Sequence, residues 1–307
     1  MGSARGKAYL YLLLVTIIWG LATPVIKYTL QGFEPGIFLV YRFFISTILA
    51  LIILFPGRKT VLNSLRKHPT QIFLASFFGV TISLGALFLG LEKTTVLDSN
   101  IITSINPLIV VIAGAIFLNE RVPSKEKFGA GLAFLGTIIA IVVPVVLGSE
   151  NKIQLEGDVM IVLYMLADIV AVILIKKLLQ KKVSSSLLSN ISFIIGFITL
   201  TPIVLLSTPA SEVINEIKST PINYHLGVWY MAILSGTIAY YLRNKAQKTI
   251  EVGKVGLFAY LVPVVSVPVA VIWLQEKITL PFIVGAILIV IGVFIAEMNS
   301  SLRKKLL

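Results

Sequence analysis

The apolar residues of this chain are gathered into long stretches of about 18 to 24 residues, close to the length of helix that crosses a hydrocarbon core. A run of that kind leaves few options. In lipid every backbone N–H and C=O must find its partner within the protein, so helices or closed barrels are the only spanning structures. Barrel strands would alternate apolar and polar residues over about ten positions, and runs such as Ile101 to Leu118 or Ile283 to Ala296 do not alternate. An all-α membrane protein follows, with transmembrane helices predicted at 8–28, 36–55, 71–91, 95–118, 128–147, 158–176, 186–207, 225–243, 255–274 and 281–299. A mean hydropathy of +0.97 with only 13% charged residues leaves too little polar surface for a soluble domain.

The net charge of +12 does not point to nucleic acid, because the basic residues lie in the short segments between apolar runs. Assigning alternate segments to alternate sides puts twenty Lys and Arg residues with the two termini and five, Lys27, Lys93, Lys152, Lys218 and Lys277, on the other side. Arg42 lies within a span and completes the 26. Basic loops stay in the cytoplasm, so both termini are expected there, in a cell (inner) membrane. The chain has no cysteine, which excludes disulfides, thiolate metal sites and cysteine nucleophiles. It also lacks a phosphate-binding glycine loop and the signatures of metalloproteases and serine hydrolases, so no cofactor or metal is expected.

Shifting the chain against itself by 156 residues aligns Pro107 with Pro263, Glu120 with Glu276, Gly129 and Ala130 with Gly285 and Ala286, Gly136 with Gly292, and Ala140 with Ala296. Eleven of the 34 positions from 107 to 140 match without a gap. Two halves, 8–147 and 158–299, would each hold five spans, so the second enters the membrane from the opposite side to the first. The fold class predicted is thus ten transmembrane helices as two inverted five-helix repeats. Inverted repeats have two near-equivalent packings that interconvert by rocking around a midplane site, which is the design of a carrier.

The repeated order of a proline within a span, an apolar stretch, then Leu118-Asn119-Glu120-Arg121 or Leu274-Gln275-Glu276-Lys277, followed by Gly-Ala and a later Gly, resembles the EamA domain. Ile18-Trp19-Gly20 followed by Lys27, and Arg42 near the start of the second span, add to the likeness. The chain is similar to the drug/metabolite transporter superfamily, EamA type, with two repeats covering nearly all of it. The resemblance implies a central cavity lined mainly by the first, third, fourth, sixth, eighth and ninth spans, and transport without ATP hydrolysis. It implies no particular substrate. Asp168 departs from the aromatic or small residue common at its place in the family, and Arg243 from an aromatic.

A charged side chain inside a span faces a cavity or a partner. Asp168 is the sharpest candidate, with Tyr164 one helical turn before it on the same face. An acid beside an aromatic suits an amine through charge and cation–π attraction, and a carboxylate in low-dielectric surroundings also suits proton carriage. The competing role is a structural partner for Arg42, Arg243 or a neighbouring hydroxyl. Arg243, with Tyr240 and Asn244 at helical spacing, either binds a substrate carboxylate or marks the cytoplasmic boundary. Arg42 is expected to be structural, snorkelling outward or pairing with Glu34. Asn100, Ser104 and Pro107 share one side of the fourth span, Tyr260 precedes Pro263 in the ninth, and Trp19 sits mid-span, away from any interfacial aromatic belt. The predicted substrate-binding set is therefore Asp168, Tyr164, Trp19, Asn100, Ser104, Tyr240, Arg243, Asn244 and Tyr260. Glycines 129, 136, 285 and 292 are expected to serve close helix packing.

A secondary transporter of a small polar metabolite, amino acid or amine accounts best for these features, with membrane lipid around it and protons as a coupling ion to be tested. A membrane enzyme acting on a lipid-linked substrate through Asp168 and Arg243, or a channel, stand as alternatives. Both a monomer and a homodimer are compatible with the sequence.

Overall fold

Hydrocarbon offers no partner to a backbone amide, and the chain answers with helices; among the described residues there is no strand. The computed structural model describes residues 2–93, 99, 102–103, 105–119, 122–148, 155–274 and 280–302. In chain order the helices are α1 (Gly2–Thr29), α2 (Pro35–Leu54), α3 (Arg58–Lys67), α4 (Pro69–Ser76), α5 (Ser83–Lys93), α6 (Asn106–Leu118), α7 (Ser124–Gly148), α8 (Leu155–Gln180), α9 (Ser185–Ser207), α10 (Ala210–Ser219), α11 (Ile222–Trp229), α12 (Ala239–Gln247), α13 (Val252–Leu257), α14 (Val262–Leu274) and α15 (Leu280–Leu302).

A π-helical segment, Phe77–Ile82, joins α4 to α5, and a second, Tyr230–Ile238, joins α11 to α12. A 3-10 segment, Phe258–Leu261, joins α13 to α14. Among the described residues six helical stretches are long and apolar enough to cross a bilayer: Ala4–Thr29, Pro35–Leu54, Pro69–Lys93, Glu156–Gln180, Ser185–Ser207 and Val252–Trp273. Asn106–Leu118 and Ile283–Ala296 are shorter apolar helices. These six match spans predicted from sequence; the other four predicted spans overlap helices without meeting the same test.

Local chemistry sets the ends. Pro35, Pro69 and Pro107 stand in the first turn of α2, α4 and α6, where a helix has no use for the missing N–H. Asn119 closes α6 in the left-handed region, at φ 53°, a conformation its short amide side chain tolerates. Lys182 does the same after α8, at φ 64°, with Val183 N–H donating to the Leu178 carbonyl.

The packing is an exchange between the two halves. α2 lies on α9 and α7 on α15, while α1 packs on α12 and α14, α5 on α8, and α6 on α13. The 156-residue shift maps α2 on α9 and α7 on α15 onto themselves and exchanges α1 on α12 for α5 on α8. It carries α6 onto α14, each of 13 residues, and the π segment at 77–82 into the one at 230–238. Pro107 and Pro263 thus both sit at the second residue of a 13-residue helix.

The seam between α7 and α15 is built from small residues. A Cβ placed on Gly136 would come within 2.6 Å of the Gly285 carbonyl oxygen, and one on Gly292 within 2.6 Å of the Gly129 carbonyl oxygen. The backbones approach as closely as they do only because no side chain intervenes.

Candidate functional site

Where α1, α5, α8, α12 and the α6 and α14 helix starts converge, they enclose a cavity of about 230 Å³. Its wall comprises Trp19, Ala22, Thr23 and Ile26 from α1, Leu84, Leu87, Phe88 and Leu91 from α5, and Tyr164 and Asp168 from α8. Met231, Ser235, Tyr240 and Arg243 face it from the stretch between α11 and the end of α12, with Ala259, Tyr260, Val262 and Pro263 beyond. Ser99, Thr103, Asn106 and Pro107 complete the wall, and Arg42 enters from α2. The spans named by the family resemblance all contribute, and α2 adds a cation.

Tyr164 and Asp168, one turn apart, both face inward. Across the cavity Arg243 donates from Nη1 to Asp168 Oδ1 at 3.3 Å and from Nη2 to Asp168 Oδ2 at 3.2 Å, a two-pronged ion pair. The two side chains are 13% and 11% exposed, so water screens the pair little. Trp19 lies over the guanidinium, 5.3 Å from ring centre to Cζ, and its indole N–H donates to the Ser235 carbonyl at 3.1 Å. Tyr240 meets Trp19 edge on, with centroids 5.4 Å apart, and meets Phe193 likewise at 5.3 Å. The carbonyls taken here belong to the π segment, whose wide turns release backbone acceptors: Ser46 Oγ and Thr237 Oγ1 both donate to the Ala232 carbonyl, each at 3.2 Å.

Trp19, Tyr164, Asp168, Tyr240, Arg243 and Tyr260 therefore meet around one cavity although they are spread over most of the sequence. Asn244 does not line it. It is buried toward α9, where Nδ2 donates to Ser189 Oγ at 2.9 Å. Asn100 and Ser104 lie outside the described residues.

Arg42 departs most from its expected place. It neither snorkels nor meets Glu34, whose backbone N–H is taken by Glu216 Oε1 at 2.8 Å. The residue is 1% exposed, and Nε and Nη1 are buried with no hydrogen-bond partner. Its Cζ is 5.9 Å from the ring centres of both Phe43 and Phe88. Such ring contacts are worth about 0.5–2 kcal/mol, against several for removing a cation from water. The signal missed in the sequence was the rule applied to Asp168: a lone charge within a span faces a cavity or a partner. Asn106 Oδ1 and Tyr260 Oη are likewise buried at this wall without partners, and sequence reasoning passed over Asn106. Among the described residues Asp168 is the cavity's one carboxylate and Arg243 occupies it, so the formal charge of the wall is +1. Among those residues no cluster of His, Asp and Glu could hold a metal.

At the ends of the molecule, Lys93 on α5 pairs with Glu156 on α8 at 2.8 Å. At another end Arg5 and Lys254 both pair with Glu251, at 3.3 and 3.4 Å, joining α1 to the turn before α13.

The chain matches the sequence profile of the EamA-like transporter family twice, over residues 6–142 and 155–298. An uncharacterized transporter of Archaeoglobus fulgidus is 28% identical over 298 residues, covering 94% of this chain and 98% of that one. The uncharacterized transporter YyaM of Bacillus subtilis is 25% identical, covering 94% and 93%. A protein of Escherichia coli named "Probable amino-acid metabolite efflux pump" is 24% identical over 310 residues, covering 95% of each. A solved crystal structure, 16% identical, superposes with a TM-score of 0.74 over 98% of this chain and 99% of its own, and shares the fold. The family and these relatives are transporters, not enzymes, and the apolar helices are those of a multi-pass membrane protein.

Proposed function

The chain belongs to the EamA-like transporter family, and from that premise we propose that it is a secondary transporter, independent of ATP, that carries a small polar metabolite of the amino-acid or amine class by alternating access. The reading takes ten spans in two inverted five-helix repeats, 8–147 and 158–299, with both termini on the cytoplasmic side of the cell membrane. The matched lengths of α6 and α14, the paired π segments and the packing pattern that survives exchange of the halves all support it.

The observation that carries the proposal is a largely apolar cavity between the halves that nevertheless holds the Asp168–Arg243 pair under Trp19 and Tyr240. A cavity of about 230 Å³ suits one small bound solute at a time, as a carrier requires. The relative named as an amino-acid metabolite pump supports the substrate class. Proton coupling in this reading runs through Asp168, the carboxylate at the wall.

The test is counterflow in liposomes: purified protein, one unlabelled amino acid or amine inside, and its labelled form outside. Exchange that saturates and requires solute on both sides is expected. Folded protein that exchanges no member of such a panel, or passes label regardless of the inner solute, overturns the carrier.

A further inference from the structure

We infer that Arg42 is the receptor for a carboxylate on the substrate, so that the cavity selects small carboxylate-bearing solutes with an apolar body over amines lacking the acid. The inference rests on the cavity being the transport site. Amines would need a free anion at the wall. The described carboxylate there, Asp168, already accepts two hydrogen bonds from Arg243. The charge left over is Arg42, 1% exposed, with Nε and Nη1 buried and unpartnered and the residue lining the cavity. A guanidinium in that condition is matched by one class of group: a planar anion able to take its parallel N–H donors two at a time.

Phe43 and Phe88 each lie with a ring centre 5.9 Å from the guanidinium carbon, and a cation held between rings needs less reordering to receive an anion. Asn106 Oδ1 and Tyr260 Oη, unpartnered in the same wall, offer neutral acceptors for an ammonium, so a zwitterion has partners for both of its charged ends. Ile26, Leu84, Leu87 and Leu91 surround the remainder with hydrocarbon. One spare positive charge suits a monocarboxylate; a dicarboxylate would bring a second anion without a partner.

The test uses the wild-type protein first, so that no variant has to fold. Thermal stabilisation in detergent is titrated with two matched sets: leucine, 4-methylpentanoate and 3-methylbutylamine, and phenylalanine, 3-phenylpropanoate and 2-phenylethylamine, with chloride alone as the control. Members with a carboxylate should stabilise the protein and the two amines should not. In Arg42→Gln and Arg42→Lys, after their ligand-free melting and size-exclusion profiles are checked, the carboxylate series should weaken by roughly tenfold or more. Stabilisation by the amines alone, accompanied by amine counterflow in liposomes, would sink the carboxylate assignment and leave the carrier standing. Equal stabilisation by chloride makes the position a bare anion site and also ends the proposal. So does a carboxylate preference that survives in Arg42→Gln but vanishes in Arg243→Gln. If no probe either binds or exchanges, this inference and the transporter reading of the cavity fall together.

Discussion

Asp168 and Arg243 hold each other's charge in a place that water barely reaches, so removing one partner strands the other. Asp168→Asn should lower stability by on the order of 3 kcal/mol, and Arg243→Gln by a similar amount. The double variant should lose much less than the sum, because with both charges gone neither is left unpaired. Melting of the four proteins in detergent checks this; additive losses would mean that the two side chains act independently. Glu251 gives a pH signature at the same scale. Burial raises its carboxyl, but the backbone hydrogen bond, Lys254 and Arg5 together outweigh burial and leave it below the usual carboxylate range. A depressed carboxyl contributes stability that is present above its unfolded value of about 4.3 and is lost as pH falls through its folded value. The melting gap between wild type and Glu251→Gln should therefore be steady at neutral pH and close at pH about 4 and below. These partnerships were hidden from the sequence. Asp168 and Arg243 are 75 positions apart, and nothing in either span's pattern says that they meet. Arg42 was visible as a charge within a span, but its distance from the span end says nothing about which helix face it occupies.

The helices themselves were far more legible. Hydrophobic length alone located the six stretches that meet the spanning criterion, because the thickness of hydrocarbon fixes the helix that fills it. The breaks were less so. Pro107 and Pro263 were seen as devices within a span, yet nothing in their sequence context says that each stands second in a 13-residue helix of its own. The π segments carry no proline and no distinctive residue, so nothing in their composition announces them. The glycine seam was legible from spacing and supplies a test with an internal control. In Gly136→Ala or Gly292→Ala the new methyl meets backbone on the facing helix, so α7 and α15 must separate, at a cost of about 1–3 kcal/mol. Gly131 also lies on α7, but a methyl there would have nothing within 4 Å, so Gly131→Ala should be neutral or should stabilise by up to about 1 kcal/mol. A melting series in which all three fall equally would locate the effect in helix propensity and not in the seam.

On the scale of the whole molecule, α2 with α9 and α7 with α15 are pairs that the exchange of halves maps onto themselves. The pairs α1 with α12 and α5 with α8 are instead exchanged for one another. If the two halves rock, the self-mapped pairs can keep their packing in both states, while α5 and α8 must part when α1 and α12 close. The Lys93–Glu156 pair bridges α5 and α8 at one end of the molecule and so reports on that motion. Because the chain has no native cysteine, Lys93→Cys with Glu156→Cys gives a single reactive pair without background. Joining the two thiols with a short bifunctional maleimide should abolish counterflow in liposomes, while the uncrosslinked double variant still exchanges. Thermal stabilisation by a bound solute should persist in the crosslinked protein if the cavity stays reachable from the opposite side, since a lock on one end holds the state without filling the site. Counterflow that continues at the wild-type rate after complete crosslinking would show that α5 and α8 do not separate during turnover, and the moving elements would then have to be sought among the pairs the exchange leaves in place.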